Sequence, residues 1–202
     1  MKVYIIRHGQ SVDNVTKTIS GPDTPLSDLG RAQAKSIGQK LLETGTKFDV
    51  VYSSTFQRAS ETTRIICGEI GIKEIIFDKR FREGDAGIYT GQRFDELTKE
   101  GKELLDSYFV NVDEKPPGGE SITEQWNRHR EGFLEVIGNH PENSTILIVG
   151  HGGTLYHILK NTLDILPEMG EWFGNCMLNI LERNSRNSEW ILTMLNNIKL
   201  DK

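Results

Sequence analysis

Two histidines stand where short apolar segments end and glycines begin. His8 follows the apolar run 3–6, and His151 follows the run 145–149. Both runs have the β-branched and aromatic content that is typical of buried strands. Ligands of parallel α/β sheets bind beyond the carboxyl ends of the strands. The sequence therefore predicts that His8 and His151 meet a ligand at one edge of a sheet.

The residues around His8 indicate a phosphate ligand. Arg7 precedes it, and Gly9 and Asn14 follow. A neighbouring cation disfavours imidazolium, and a neutral imidazole is a nucleophile. Arginine also binds phosphate oxygens through a planar fork of N–H donors, Gly9 lets the backbone approach a ligand, and Asn14 can donate a further hydrogen bond. The alternative is a basic turn after an edge strand.

Arg58 and Glu83 are candidates for charge neutralisation and proton transfer. Arg58 stands at the start of a predicted helix, where an anion is favoured, although it could instead pair with Glu61 or Glu69 on the surface. Glu83 comes just after the third predicted strand. A carboxylic acid beside a phosphate dianion holds its proton tightly, which suits it to protonate a leaving alkoxide and later to accept a proton from water. The alternative is an ordinary surface carboxylate.

The other histidines and the cysteines favour no metal site. His129, His140 and His157 fall within or at the ends of predicted helices, and we interpret them as surface or satisfied polar side chains. No two histidines lie one helical turn apart, which disfavours a metal hydrolase. Cys67 and Cys176 are far apart in the sequence, and we interpret both as reduced core thiols.

The predicted elements alternate between strand and helix. Strands are predicted at 2–6, 48–52, 74–77 and 145–149, with a C-terminal hairpin of 176–181 and 190–195. This alternation predicts an α/β protein, a three-layer α/β/α sandwich with a mostly parallel central sheet. An apolar edge near 176–181 could support a dimer, but a packed core strand has the same pattern, so the oligomeric state stays open.

The predicted helices have apolar residues on one face. Ser27 is a plausible N-cap for a helix that ends near Gly45, and a second helix covers 55–70. Short helices are predicted at about 94–100 and 103–109, a longer one begins after Ser121, and another follows His151 to about Leu163. The expected buried faces are Ala34, Ile37, Leu41 and Leu42 in the first helix, and Ile122, Trp126, Phe133 and Ile137 in the longer one.

The chain-wide properties favour one globular domain over residues 1–202, with an excursion or partial lid at about 81–119. Of the 202 residues, 36% are hydrophobic and 26% charged, which excludes a disordered chain. The net charge of −5 argues against a nucleic-acid surface, although a few arginines can dominate one pocket. No segment has the pattern of a signal peptide or a membrane span, so we expect a cytoplasmic protein without a membrane partner.

The ordered set of motifs resembles the histidine phosphatase superfamily, the phosphoglycerate-mutase-like proteins, over nearly the whole chain. The matching segments are Arg7-His8-Gly9, Thr24-Pro25-Leu26-Ser27 with Gly30, Gln33 and Ala34, Ser53-Ser54 through Arg58-Ala59 and Glu61-Thr62, Glu83, Gly118-Gly119-Glu120-Ser121, and Gly150-His151-Gly152. Arg-His-Gly alone is a weak signal, but the ordered set is highly specific.

The resemblance implies a role for each matched residue. His8 would be the phosphorylated nucleophile and Glu83 the proton donor, while Arg7, Arg58 and His151 would form the phosphate pocket. Asn14 would assist, Gly152 would lend a backbone N–H, and neither a metal nor an organic cofactor is implied. The other expected substrate-binding residues are Gly9, Gln10, Tyr89 and Arg93.

The resemblance favours a phosphatase that acts on a small phosphomonoester. The family's cofactor-dependent mutases have an insertion after the acid and a C-terminal tail, whereas here the interval from Glu83 to His151 is modest and the sequence ends at Lys202. Residues 87–91 also resemble small phosphatase members. A phosphoglycerate mutase and a non-catalytic phosphate-binding module stay as alternatives, and the substrate is open.

Overall fold

The computed structural model describes residues 1–107, 110–165 and 173–200. Its strands are β1 (Lys2–Arg7), β2 (Val50–Ser53), β3 (Ile76–Phe77), β4 (Thr145–Gly150), β5 (Leu178–Glu182), β6 (Ile191–Leu195) and β7 (Ile198–Lys199). Over the described ranges they form one sheet in the order β3-β2-β4-β1-β5-β6-β7. β1 to β4 are parallel, and β5 to β7 run antiparallel. The predicted mostly parallel core is confirmed.

Helices cover both faces of this sheet. They are α1 (Val12–Thr16), α2 (Asp28–Glu43), α3 (Gln57–Ile70), α4 (Lys99–Ser107), α5 (Ile122–Asn139) and α6 (Gly152–Tyr156), and α6 continues into a π-helical turn, His157–Thr162. The apolar faces of α2 and α3 pack with Ile6 and Val149 on one side. Phe133 of α5 and Leu155 of α6 pack with Ile5 on the other. The three-layer sandwich is therefore confirmed.

Polar residues set the starts of the two long helices that flank the site. Ser27 accepts a hydrogen bond from the Gly30 N–H at 3.0 Å and caps α2, as the sequence predicts. Ser121 caps α5 and forms a reciprocal capping box with Glu124. These side-chain caps therefore fix the residue at which each helix begins.

Two helix predictions are wrong in detail. Leu42 is 57% exposed, because the buried stripe of α2 passes through Leu41 and the next residue is turned away by about 100°. The two short helices predicted at 94–100 and 103–109 are replaced by α4, since the Thr98 hydroxyl accepts from the Gly101 N–H and starts the helix there. Residues 108 and 109 lie outside the described residues.

The C-terminal hairpin is confirmed as β5 and β6. Of the two alternatives left open for 176–181, an apolar edge or a packed core strand, the structure has the core strand. β5 pairs with β1 on one side and with β6 on the other. Cys176 lies just before β5, and both it and Cys67 are buried free thiols. This strand therefore offers no open edge to a second chain.

The segment 81–119 leaves the sheet after β3 and returns at α5. It contains a 3₁₀ turn at Gly87–Tyr89 and the helix α4. Its action as a partial lid stays a prediction. Within the three described ranges, no helix combines the length and apolar character that crossing a bilayer requires; the cytoplasmic location stays a prediction as well.

Candidate active site

The two motif histidines emerge from neighbouring parallel strands. β1 and β4 are in register, with Arg7 opposite Gly150, and the His8 N–H donates to the Gly150 carbonyl at 2.9 Å. The rings of His8 and His151 lie edge to face with centroids 5.1 Å apart. The sheet therefore brings together two residues that are 143 positions apart in the sequence.

The hydrogen bonds of His8 assign its neutral imidazole to one tautomer. The Arg58 Nε–H donates to His8 Nε2 at 3.1 Å, so Nε2 must be the acceptor and Nδ1 carries the proton, which it donates to the Gly9 carbonyl at 2.7 Å. The ring is buried, and burial, together with the Arg58 and Arg7 cations, holds the pKa of His8 well below 6.5. The lone pair of His8 Nε2 thus faces a guanidinium group.

Arg58 is part of the interior and not of the surface. It is 1% exposed, its Nη1 donates to the Gly21 carbonyl at 2.8 Å, and its guanidinium lies 5.3 Å from the Phe56 ring centroid. The alternative of a surface pair with Glu61 is wrong, because Glu61 binds Arg31 at 2.7 Å. Burial lowers the pKa of Arg58 to about 10, and nearby carboxylates, Glu83 first, partly oppose this shift.

Arg7 and His151 lie beside His8 and Arg58, and we call these four side chains the basic wall. Arg7 Nη1 donates to the Phe173 carbonyl at 2.6 Å, and burial lowers the pKa of Arg7 against the opposing effect of Glu83. His151 is buried with its Nε2 2.8 Å from the Ser54 hydroxyl. Burial and the neighbouring Arg58 and His8 hold the pKa of His151 well below 6.5. The four basic side chains therefore carry two positive charges at neutral pH.

Glu83 faces this wall with both carboxylate oxygens bonded. Oε1 accepts from Gln125 Nε2 at 2.8 Å and from the Gly84 N–H at 3.2 Å. Oε2 accepts from the Gly153 N–H at 3.3 Å. Two backbone N–H groups, those of Gly84 and Gly153, therefore hold the carboxylate. The backbone N–H that the resemblance implies Gly152 would lend stays a prediction.

The loop after β1 is fixed by polar contacts within the loop and with distant segments of the chain. Ser11 caps α1, and Asn14 Oδ1 completes the capping box by accepting from the Ser11 N–H at 3.0 Å. Asn175 Nδ2 donates to the His8 carbonyl at 2.9 Å. The Gln10 side chain accepts from the Ser27 hydroxyl at 2.8 Å. A Cβ on Gly9 would lie 2.5 Å from the Gly30 carbonyl oxygen, so the close approach that requires glycine here is to α2.

Tyr89 and Arg93 lie outside the cavity that adjoins Glu83. The Tyr89 ring packs on Gly101, and exposed Arg93 pairs with Asp95 at 2.8 Å. The cavity has a volume of about 480 Å³ and contains three cations that the sequence analysis missed, Lys79, Arg82 and Arg128, among its lining residues. The roles expected for Tyr89 and Arg93 in substrate binding stay predictions.

Sequence reasoning also missed the polar residues that support the site. The Thr62 hydroxyl accepts from the Gly9 N–H at 3.0 Å, and Gln125, Arg128 and His129 contact the Glu83 segment from α5. His129 and His157 are buried. The available signal was the i, i+3, i+4 spacing of the three α5 residues, which puts them on one helix face.

The donor set offers no metal site within the described residues. No group of three or more His, Cys, Asp or Glu side chains there is placed to hold a metal ion. What the site combines is a neutral imidazole lone pair, two arginines, a second imidazole and a carboxylate. This combination suits the binding and transfer of a phosphoryl group.

Comparisons with known proteins agree with this chemistry. Residues 3–198 match the family model described as histidine phosphatase superfamily (branch 1). A 2,3-bisphosphoglycerate-dependent phosphoglycerate mutase of Brucella melitensis is 34% identical over 171 residues, which cover 82% of this chain and 83% of the mutase.

Two solved phosphatases have the same fold. A mycobacterial glucosyl-3-phosphoglycerate phosphatase has a TM-score of 0.81 and 26% identity over 96% of this chain and 98% of its own. A phosphoserine phosphatase of Entamoeba histolytica, solved as a mutant with phosphoserine, has a TM-score of 0.78 and 26% identity over 96% of each chain. The similarity thus extends over nearly the whole length of both.

Proposed function

This chain belongs to the histidine phosphatase superfamily (branch 1), and we propose that it hydrolyses small phosphomonoesters through a phosphohistidine on His8. The observation that carries this proposal is the contact of Arg58 Nε with His8 Nε2 at 3.1 Å, with Nδ1 donating to the Gly9 carbonyl. The nitrogen that we propose as the nucleophile, His8 Nε2, is thus in direct contact with a cation that can bind phosphate, Arg58. A phosphate held by Arg58 would lie against the lone pair that attacks it.

In the first step the phosphoryl group moves to His8. Arg7 and Arg58 bind the phosphate oxygens, and the Arg58 N–H passes from His8 Nε2 to one of them, which frees the lone pair. The Ser54 hydroxyl accepts from the Phe56 N–H at 3.2 Å, and we assign its own proton to His151 Nε2, so that His151 Nδ1–H donates to the phosphate. His8 Nε2 then bonds to phosphorus while the ester P–O bond breaks, and Glu83 gives its proton to the leaving oxygen.

In the second step water releases the phosphate. Glu83, now a carboxylate, takes a proton from the attacking water as the new P–O bond forms. The P–N bond breaks and returns its electron pair to His8 Nε2. Neutral His8, the protonated carboxyl and inorganic phosphate result, so the cycle closes without a metal or an organic cofactor.

Hydrolysis is the favoured activity. The two phosphatases match at least 96% of this chain, and the cavity beside Glu83, about 480 Å³, has room for a small leaving group or for water. A module that only binds phosphate would need neither a nucleophile nor an acid. Phosphoglycerate mutase is the second candidate, since the Brucella mutase is 34% identical.

The test of the intermediate is rapid quenching of the enzyme with ³²P-labelled substrate. We expect an acid-labile, alkali-stable adduct on His8, and no adduct or phosphate release in His8→Ala. His140→Gln is the control, because His140 lies at the end of α5 and bonds Tyr52 at 2.9 Å, away from the catalytic set. Wild-type turnover by His8→Ala would contradict the proposal.

The two activities are separated by product analysis. We expect phosphate release from a panel of monoesters in the presence of a strong chelator. The same reactions are run on 3-phosphoglycerate with and without 2,3-bisphosphoglycerate as primer. Isomerisation that exceeds hydrolysis would assign the chain to the mutases.

A further inference from the structure

We propose that Gln125 is a positioning residue for the acid: it holds Glu83 Oε1, so that Oε2 is the oxygen that exchanges the proton with the leaving group and with water. This inference rests on the proposed function of Glu83. It concerns a residue of α5 that belongs to none of the sequence motifs.

The contact is built into the interior. Gln125 is 3% exposed, and its Nε2 lies 2.8 Å from Glu83 Oε1. Two glycines make space for it: a Cβ on Gly84 would lie 2.8 Å from the Gln125 amide oxygen, and one on Gly153 would lie 2.4 Å from Nε2 and 2.3 Å from Glu83 Oε1. The amide and the carboxylate thus occupy a slot that two backbones enclose.

Other residues of α5 hold the main chain that carries Glu83. Arg128 donates to the carbonyls of Arg80 at 2.7 Å and Arg82 at 2.9 Å, and it pairs with Glu120 at 2.6 Å. His129 Nε2 donates to the Arg82 carbonyl at 2.9 Å. Because these contacts fix the backbone, the contact of Gln125 is left to select the rotamer of the carboxyl group.

This arrangement divides the work between the two oxygens. Among the residues that the structure describes, Oε1 accepts two hydrogen bonds, from Gln125 and Gly84, whereas Oε2 accepts the single long one from Gly153. In the first step the proton leaves Oε2 for the ester oxygen as its P–O bond breaks. In the second step Oε2 takes a proton from water as the P–N bond breaks. Without the amide, the carboxyl group could rotate and present neither oxygen.

The test is Gln125→Met, which keeps the length of the side chain and removes the donor. For glycerol 2-phosphate, whose alkoxide must be protonated, we expect kcat/KM to fall by about tenfold or more. For p-nitrophenyl phosphate, whose phenolate leaves without a proton, we expect less than about a twofold fall. kcat/KM reports the formation of phosphohistidine, so the later attack of water does not enter.

Control variants separate the possible failures. Glu83→Gln must show the same discrimination between the two esters; if it does not, the proposed role of Glu83 itself fails. If kcat/KM of Glu83→Gln falls more on glycerol 2-phosphate than on p-nitrophenyl phosphate, while Gln125→Met keeps the wild-type value on both, Gln125 has no positioning role. An equal fall on both esters in Gln125→Met would mean a merely structural role. Gln39→Met, on the exposed face of α2, should change neither value.

Discussion

At the scale of the residue, the decisive feature is the environment of the His8 ring. Three causes lower the pKa of His8, in the order burial, Arg58 and Arg7, while the hydrogen bond to the Gly9 carbonyl acts in the opposite direction. A lowered pKa means that the ring stays neutral as the pH falls through 6.5. The neutral form, which the proposed mechanism requires of the nucleophile, is thus the resting form over the physiological range.

The charge of Arg58 should be measurable at His8. We expect Arg58→Met to raise the pKa of His8, because a cation next to the ring is removed while burial stays. The measurement is a ¹⁵N NMR titration of the substrate-free protein, in which wild-type His8 should show the Nδ1–H neutral tautomer at pH 6. Arg93→Met removes an exposed arginine that pairs with Asp95 and should leave this titration unchanged. An unshifted His8 in Arg58→Met would contradict the electrostatic argument.

At the scale of the element, the loop that carries His8 is fixed by the first turn of α2. The Gln10 carbonyl accepts from the Ser27 N–H at 2.9 Å, and a Cβ on Gly30 would lie 2.0 Å from that same carbonyl oxygen. Two stretches of backbone therefore touch where the loop after β1 meets α2. This contact allows only glycine at position 30.

Gly30→Ala should therefore damage both stability and activity. The new methyl group must push α2 away from the loop, which we expect to cost about 2 kcal/mol or more in the free energy of unfolding and to lower kcat/KM as His8 shifts. Gly68→Ala in α3 is the matched control: nothing lies within 4 Å of its Cβ, so it should stabilise by about 0.5–1 kcal/mol. Urea unfolding and phosphate release check both. A Gly30→Ala protein with wild-type stability would refute the close packing.

Local sequence patterns predicted the elements better than their ends. Alternating apolar strands and amphipathic helices indicated the sandwich, because each period reports which face is buried. The failures at Leu42 and before Thr98 have one cause: the width of a buried stripe and the choice between neighbouring caps depend on packing from distant segments. Residues that are adjacent in sequence do not contain that information.

The site was predictable where chemistry and strand ends coincide, and not where distant chain segments meet. His8 and His151 follow strands, so their position is a local property. The bond from Arg58 to His8 spans 50 positions, and only the resemblance to a family indicated it. Gln125 is a polar residue in an amphipathic helix, and such a residue usually faces water. Its inward orientation depends on the two glycines, Gly84 and Gly153, that make room for it.

At the scale of the whole molecule, the fold buries a group of four histidines. His8, His129, His151 and His157 are all buried, and burial is the largest cause that lowers the pKa of each. In the unfolded chain these rings are exposed to water and bind protons with pKa values near 6.5. Protonation of the unfolded chain therefore opposes folding as the medium becomes acidic.

The free energy of unfolding should decrease as the pH falls from 7 towards 4, and His157 should account for a separable part. Its pKa in the fold is about 4, so between about pH 6.5 and 4 the unfolded chain binds a proton there that the folded protein does not. This difference costs up to about 1.4 kcal/mol per pH unit. His157→Gln keeps a hydrogen-bond partner for the Asn161 amide. In this variant the free energy of unfolding should fall less steeply with pH by that amount, measured by urea unfolding at pH 7 and pH 5. If both proteins lose the same free energy over this interval, His157 titrates alike in the folded and unfolded chains, and the fold does not hold it neutral.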